Sequence, residues 1–291
     1  MDLKPQKIGS IKSHFLDSGA FTLWTTSIKY AEENNCGRWD YYNTKEFKEY
    51  MDKYAAFIKK YKIAIDLYAN IDVIGNPELT WRNQKYLEKK HGLSPVPVVH
   101  FGTDMKWLKK YIEEGYKLIG LGGLVGKNKS IRLTDWLDRC FDLVCDSPNR
   151  LPKVKIHGFG ISSVKLWLRY PWWSIDSTSI HKKSAYGWIL VPFYRAGKFI
   201  FDKPPLHISV SEESPFVKNK GRHLSTISLK EKEIVLKWLK HIQIPLGTRE
   251  EKGIINNGEM RKLALYFYYE KMMLSLPSWP WPFTPRKRVL V

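Results

Sequence analysis

From residue 14 to about residue 180 the chain repeats one pattern. A short apolar run is followed by a polar or glycine cluster, and then by a longer stretch whose apolar positions recur at helical spacing. The apolar runs are His14 to Leu16, Ile63 to Ile71, Val96 to Val99, Lys117 to Leu121, Val154 to Ile156 and Trp172 to Ile175. Between them the spacing predicts helices over Thr44 to Lys60, Asn76 to His91, Asp104 to Glu114, Leu133 to Val144 and Ser162 to Arg169. Strands alternating with helices predict an α/β fold with parallel strands, of which a TIM (β/α)8-type barrel, incomplete or decorated, is one closed form. Pro95 and Pro97 flank the third run, so it works as a strand only where their missing N–H donors fall at an edge or at a strand start.

After Ser179 the grammar changes. Trp188 to Phe193 and Lys198 to Phe201, joined through Arg195, Ala196 and Gly197, read as a β-hairpin, and His207 to Val210 as one more strand. Residues 212–226 form a polar, basic loop, Leu229 to His241 and Glu259 to Leu274 read as two helices, and the Pro/Trp-rich tail from Pro277 to Val291 suits neither element. The expected organisation is a barrel over 1–211 that includes the hairpin near 188–201. A C-terminal extension over 212–291, with the basic loop, two helices and the tail, packs on it.

Composition narrows the partners. Against 29 Asp and Glu stand 48 Lys and Arg, a formal net charge of +19, which favours a polyanion such as nucleic acid over an acidic small molecule. Apolar runs fall short of the ~20 residues a membrane helix needs, and Met1 to Lys12 is basic without a following apolar segment, so a soluble, non-secreted chain with no membrane partner is expected. Cys36, Cys140 and Cys145 show no metal-ligand spacing, which predicts free thiols in a reducing compartment and no metal.

In a parallel α/β fold, function gathers at the C-terminal ends of strands. The residues just after the runs are Asp17 in LDSGAF, Asp72 in NIDVIGN, His100 in VVHFG, Gly122 and Gly123 in GLGGLVG, His157 to Gly160 in IHGFG, and Asp176 in SIDSTS. Any one aspartate there commonly caps the following helix, and a buried histidine is commonly structural. Together they would set three carboxylates, one or two imidazoles and glycine-rich turns around one pocket. Two carboxylates facing an anomeric carbon suit N-glycosidic cleavage, one attacking C1′ while the other handles a proton or holds the leaving base. Gly122 and Gly123 suit a floor where a flat purine edge meets backbone groups.

These segments resemble a known family. LDSGAF resembles the DSGGFQ signature of the tRNA-guanine transglycosylases, LGGLVG their GGLAVGE segment and HGFGIS their MGVGTP segment, while WSIDSTS falls where that family carries its nucleophilic aspartate. Across about residues 14–180 the set is still more similar to short phage and bacterial relatives that act on DNA, the 7-deazaguanine DNA transglycosylases among them. The resemblance implies a TIM barrel in which Asp176 attacks C1′ and forms a covalent glycosyl-enzyme, with Asp17 as acid/base partner or holding the base. It implies that Asp72 bonds the purine Watson–Crick edge, that Gly122, Gly123 and Leu124 form the pocket floor, and that His100 stands near a base-contacting glutamine of the tRNA enzymes. Ser18, Gly19 and Phe21 of the DSGAF segment, with His157 and Gly158, complete the implied base pocket. No organic cofactor is implied. The chain departs from the tRNA enzymes in having no thiolate after Cys145, so their zinc subdomain is absent, and in carrying DSGAFT for DSGGFQ. It also begins almost at the first strand, so one barrel strand is missing, permuted or supplied from the C-terminal third.

Basic clusters outside the pocket complete the expectation. Lys127, Lys129 and Arg132, then His181, Lys182 and Lys183, follow strand ends, and Lys218, Lys220, Arg222 and His223 lie in the later loop; these would neutralise nucleic-acid phosphates. A fourth cluster, Arg286, Lys287 and Arg288, ends the tail. DNA is the favoured partner over tRNA, with a free 7-deazaguanine base as second substrate of an exchange enzyme in the cytoplasm of a bacterial or phage-infected cell. Two alternatives share the sequence: a DNA glycosylase that ends with water and leaves an abasic site, as in phage defence, and an inactive nucleic-acid-binding barrel.

Overall fold

A computed structural model of the chain describes residues 14–124, 130–248 and 250–285, the side chains of 130–132 excepted. The protein is mixed α/β and divides into two compact units, one of the residues up to Phe159 with those from Thr284 onward, the other Gly160–Phe283.

The first unit runs β1 (Phe15–Leu16), α1 (Ala20–Asn34), a 3-10 turn (Asp40–Asn43), α2 (Lys45–Lys60), β2 (Leu67–Tyr68), α3 (Pro77–His91), β3 (Val98–His100), α4 (Met105–Glu113), β4 (Leu118–Gly122), α5 (Ser130–Val144) and β5 (Lys155–Gly158). All five strands follow one another in space in chain order. β1 pairs parallel with β2, β3 with β4 and β4 with β5, and a parallel bridge between Ala69 and Val96 joins the two sets. At that bridge the Val96 N–H bonds to Tyr68 and the Asn70 N–H to Val96. Pro95 and Pro97 flank Val96 at the start of β3: the Val96 N–H makes the bond to β2, and Pro97 joins the β4 ladder through its carbonyl alone, which accepts the Gly120 N–H.

The strands curl strongly. In a flat sheet β1 and β5 would lie four strand spacings apart, roughly 19 Å. Instead the Phe15 ring centroid lies 4.7 Å from that of His157 and 5.6 Å from that of Phe159. Helices cover the outer side because their apolar positions recur on one face. In α2, Phe47, Met51, Tyr54, Ala55 and Ile58 are buried, and Thr44 caps the helix by accepting the Phe47 N–H. α3 starts on an Asn76 cap with Pro77 behind it and stops on Gly92 in the left-handed region.

Helix α1 lies outside the elements expected from the sequence. Its segment is rich in threonine and aromatic residues, and it buries only Ala20, Leu23 and Ser27, too narrow a stripe to show as periodicity. The Thr25 and Thr26 hydroxyls donate back to the Thr22 carbonyl, bonds that compete with helix formation in an isolated peptide.

The second unit contains α6 (Val164–Arg169), β6 (Ser174–Ile175), α7 (Ser179–Ala185), β7 (Trp188–Val191), β8 (Phe193–Arg195), β9 (Lys198–Ile200), β10 (Leu206–Ser209), α8 (Leu229–His241) and α9 (Gly258–Ser275). The expected hairpin is shorter than its sequence suggested. β8 pairs with β9 across Ala196 and Gly197, both at positive φ, whereas β7 pairs antiparallel with β10. Pro192 separates β7 from β8 because it cannot donate to a continued ladder. β7, β10 and α7 share a core with α9, where buried Arg261 donates to the carbonyls of Ser184 and Ile254. Residues 188–211 therefore fold with the C-terminal helices, and the boundary expected at 211 falls inside this unit. Trp172 is buried with its N–H on the Leu166 carbonyl, and the Trp279 N–H donates to the Pro171 carbonyl. No helix among the described residues is long and apolar enough to cross a membrane.

Asp52 ties α2 to α3 through Lys90, His91 and Tyr86, each within 3.0 Å of its carboxylate. These bonds, that of Lys90 foremost, hold its pKa down to about 2. A depressed carboxylate stabilises the folded state above its unfolded pKa and loses that contribution as pH falls through the folded value. Asp52→Asn should therefore cost about 1 kcal/mol or less at neutral pH, given its exposure, and the difference should vanish towards pH 2. Urea midpoints of both proteins across the acid range check this.

Candidate functional site

In the first unit the polar residues at three strand ends meet in one buried cluster. β1 delivers Ser18, the chain after β2 delivers Asp72, and β3 ends on His100, and all three are under 8% exposed. The His100 Nε2 lies 2.7 Å from Asp72 Oδ2, and the Ser18 hydroxyl donates to Oδ1 at 3.4 Å. Tyr50 of α2 donates its hydroxyl to the Ser18 carbonyl at 2.7 Å. Gly19 continues the turn at φ +72°, and a Cβ there would meet that same Tyr50 hydroxyl at 3.0 Å, so the DSG turn and Tyr50 require each other. Asp17 precedes this turn on the exposed side, and its charge, after burial, helps push the Tyr50 hydroxyl above its ordinary pKa.

Strand β4 shapes the room for the imidazole. Gly120 and Gly122 lie two residues apart and so share one face of the strand. A Cβ on Gly122 would come within 2.8 Å of His100 Cδ2, and one on Gly120 within 2.4 Å of the Phe159 ring. The space above Gly122 is thus filled by the His100 ring, and its carbonyl accepts the Phe101 N–H at 2.9 Å. Gly123 ends the strand at φ +67°, and Leu124 is buried beyond it.

The remaining expected base-pocket residues are placed differently. His157 is buried beside Phe15 and Phe159, its ring centroid 4.4 Å from that of Phe159, and burial lowers its pKa to about 4. At neutral pH it is an uncharged member of an aromatic cluster. Gly158 pairs with Leu121 in the ladder. Phe21 stands exposed on the first turn of α1, against Trp24.

In the second unit Asp176 follows β6, keeps contact with solvent, and accepts the Gly160 N–H at 2.5 Å. Partial desolvation raises its pKa above the ordinary carboxylate value, against the opposing pull of that N–H. The carboxylate is held by backbone donation, that of Gly160 among it, and keeps the solvent contact that a nucleophilic carboxylate needs. Lys182 is exposed, while the Lys183 ammonium reaches the hydroxyls of Ser179 and Tyr269, both at 3.0 Å, and Lys220 and Arg222 are exposed in the later loop. Lys127 and Lys129 lie outside the described residues, as does the side chain of Arg132.

Sequence reasoning missed Tyr50 and Phe159. Tyr50 looks like one more apolar-face position of α2, and only the bond to Ser18 distinguishes it. Phe159 sits inside a glycine-rich turn whose spacing says nothing of ring packing. Among the described residues no group of three histidine, cysteine or acidic side chains is placed to hold a metal ion. No protein-family model, no curated protein and no solved structure matches the chain.

Removing either partner of the buried pair leaves the other unsatisfied. Asp72→Ala and His100→Ala should each destabilise by about 1–3 kcal/mol, and the double variant by clearly less than their sum. Additive losses in a double-mutant cycle would mean the pair does not form. Gly122→Ala should cost about 1–3 kcal/mol by forcing the imidazole aside, and the histidine resonances in an NMR titration would report the displacement.

Proposed function

We propose that the protein cleaves N-glycosidic bonds in DNA and exchanges guanine for a 7-deazaguanine base through a covalent intermediate on Asp176. The observation that carries this reading is that polar groups stand beyond the C-terminal ends of β1 and β2 and at the end of β3. Three of these groups converge there in the buried Ser18, Asp72 and His100 cluster. The net charge of +19 supports a polyanionic substrate. On this reading the five curled strands are the opening part of a (β/α)8-type barrel.

Asp176 supplies the nucleophile. Its carboxylate oxygen attacks C1′ while the bond from C1′ to the base nitrogen breaks, the electron pair leaving with the base and a proton arriving from Asp17. Asp17 then takes the proton of the incoming base, whose nitrogen attacks C1′ and releases the Asp176 carboxylate. Asp72 reads the donor edge of the purine, and His100 fixes which carboxylate oxygen is turned to it, much as a second-layer partner orients a ligand. Because the target lies inside the stack, duplex substrate must be flipped out, at a cost of a few kcal/mol.

The test is mass spectrometry of nucleosides and free bases after incubating the protein with duplex DNA, modified phage DNA and tRNA, each with and without a 7-deazaguanine base. Incorporation into DNA that is lost in Asp176→Ala is the expected result. Base release with abasic sites and no incorporation would make the protein a glycosylase, and turnover that survives Asp176→Ala would overturn the covalent step. The acid limb of the rate should have its midpoint above 3.8, the ordinary aspartate value, because the nucleophile must be ionised and its pKa is raised.

A further inference from the structure

The second unit contains a cleft of about 730 Å³ that the reaction proposed above does not use. One wall is cationic: Lys182 and Lys183 on α7, and Arg222 from the loop after β10. Another is aromatic, with Trp188 and Phe216 packed at 4.9 Å between ring centroids and Tyr186 beside Phe216. Among the described residues none of the three cations is in an ion pair. Glu231 is the acidic residue on the lining, and its carboxylate is already engaged by the N–H and hydroxyl of Ser228 at the start of α8.

His207, on β10 in the same lining, reports the field there. Its ring is pushed towards the neutral form by desolvation first, and then by the positive charges of Lys183 and Arg222. Lys183 and Arg222 line the same small volume as His207, and an anion placed in it would relieve their mutual repulsion. The aromatic wall adds a surface on which a planar ring can stack, worth about 1–3 kcal/mol per base where such stacking occurs. The volume exceeds what a phosphate alone would fill and lies within the usual range for small-molecule sites.

We infer that this cleft is a nucleotide-binding site, with the phosphate held by Lys182, Lys183 and Arg222 and the base lying against Trp188 and Phe216. The occupant is either a free nucleotide or one unit of a nucleic-acid strand, and the shared chemistry is a phosphate ester carrying a base. The inference does not rest on the glycosidic reading: a protein that releases no base can still bind here, and Asp176→Ala should leave this binding unchanged.

Isothermal titration with deoxyguanosine monophosphate, deoxyguanosine, inorganic phosphate and a single-stranded eight-nucleotide DNA tests it. The double substitution Lys182→Gln and Arg222→Gln removes two exposed charges and should weaken the mononucleotide at least tenfold with the melting temperature unchanged. Phe216→Leu should weaken the mononucleotide several-fold while leaving inorganic phosphate as it was. Tighter binding of the oligonucleotide, reduced by the double substitution, assigns the site to a strand, and tighter binding of the mononucleotide assigns it to a free nucleotide. The inference is overturned if deoxyguanosine binds as well as its monophosphate, if the double variant binds the mononucleotide like wild type, or if no saturable binding is seen.

Discussion

The interior of the first unit depends on β4 having no side chain at 120 and 122. Were either position an alanine, its Cβ would lie inside van der Waals contact of the Phe159 or His100 ring. Because both are glycine, rings from either side fold across β4, and the neighbouring strands can curl until Phe15 of β1 meets His157 and Phe159. In a close-packed interior, moving either ring aside to make room costs packing elsewhere. The vacancy at Gly122 also makes room for the imidazole of His100 against Asp72, so curvature and the polar cluster both draw on the glycines of β4.

The protein treats its polar groups in three ways. Asp72 is sealed from water and partnered, which fixes its geometry at the cost of desolvation. Asp176 retains solvent contact and backbone donation, while partial desolvation makes its charge less favourable than that of a surface aspartate. In the second-unit cleft three cations line one volume without ion-pair partners among the described residues, an arrangement that costs stability until an anion enters. Groups that are rigid, reactive and poised for binding thus differ in solvation more than in residue type.

Much of this was legible beforehand. The six apolar runs became β1 to β6, and five of the helices expected between them became α2 to α6, because their apolar positions recur at 3.6 or lie in short unbroken runs. Helix α1 was hidden by its threonines and narrow buried stripe, and α7 by its brevity. The pairing of β7 with β10 is a long-range choice that no local pattern encodes; Pro192 was visible, but its role as a break between β7 and β8 depends on which strand arrives as partner. At the site, strand-end position pointed to Asp72 and His100 separately, while their contact, the Tyr50 bond and the ring over Gly122 depend on how far the strands curl. That curl is a tertiary quantity. The proposed catalytic roles come from motif resemblance and chemistry, and the geometry adds which of these residues touch.

The contact between β1 and β5 also bears on how the chain is made. Phe15 emerges from the ribosome long before His157 and Phe159, and every intervening strand must be synthesised before its ring has the partners it meets in the folded unit. Up to that point the strand pairing of β1 is with β2, through a two-residue register. Among the described elements of the first unit β1 is therefore made before every strand that encloses it, which leaves its aromatic side chain without its folded-state partners while those strands are translated.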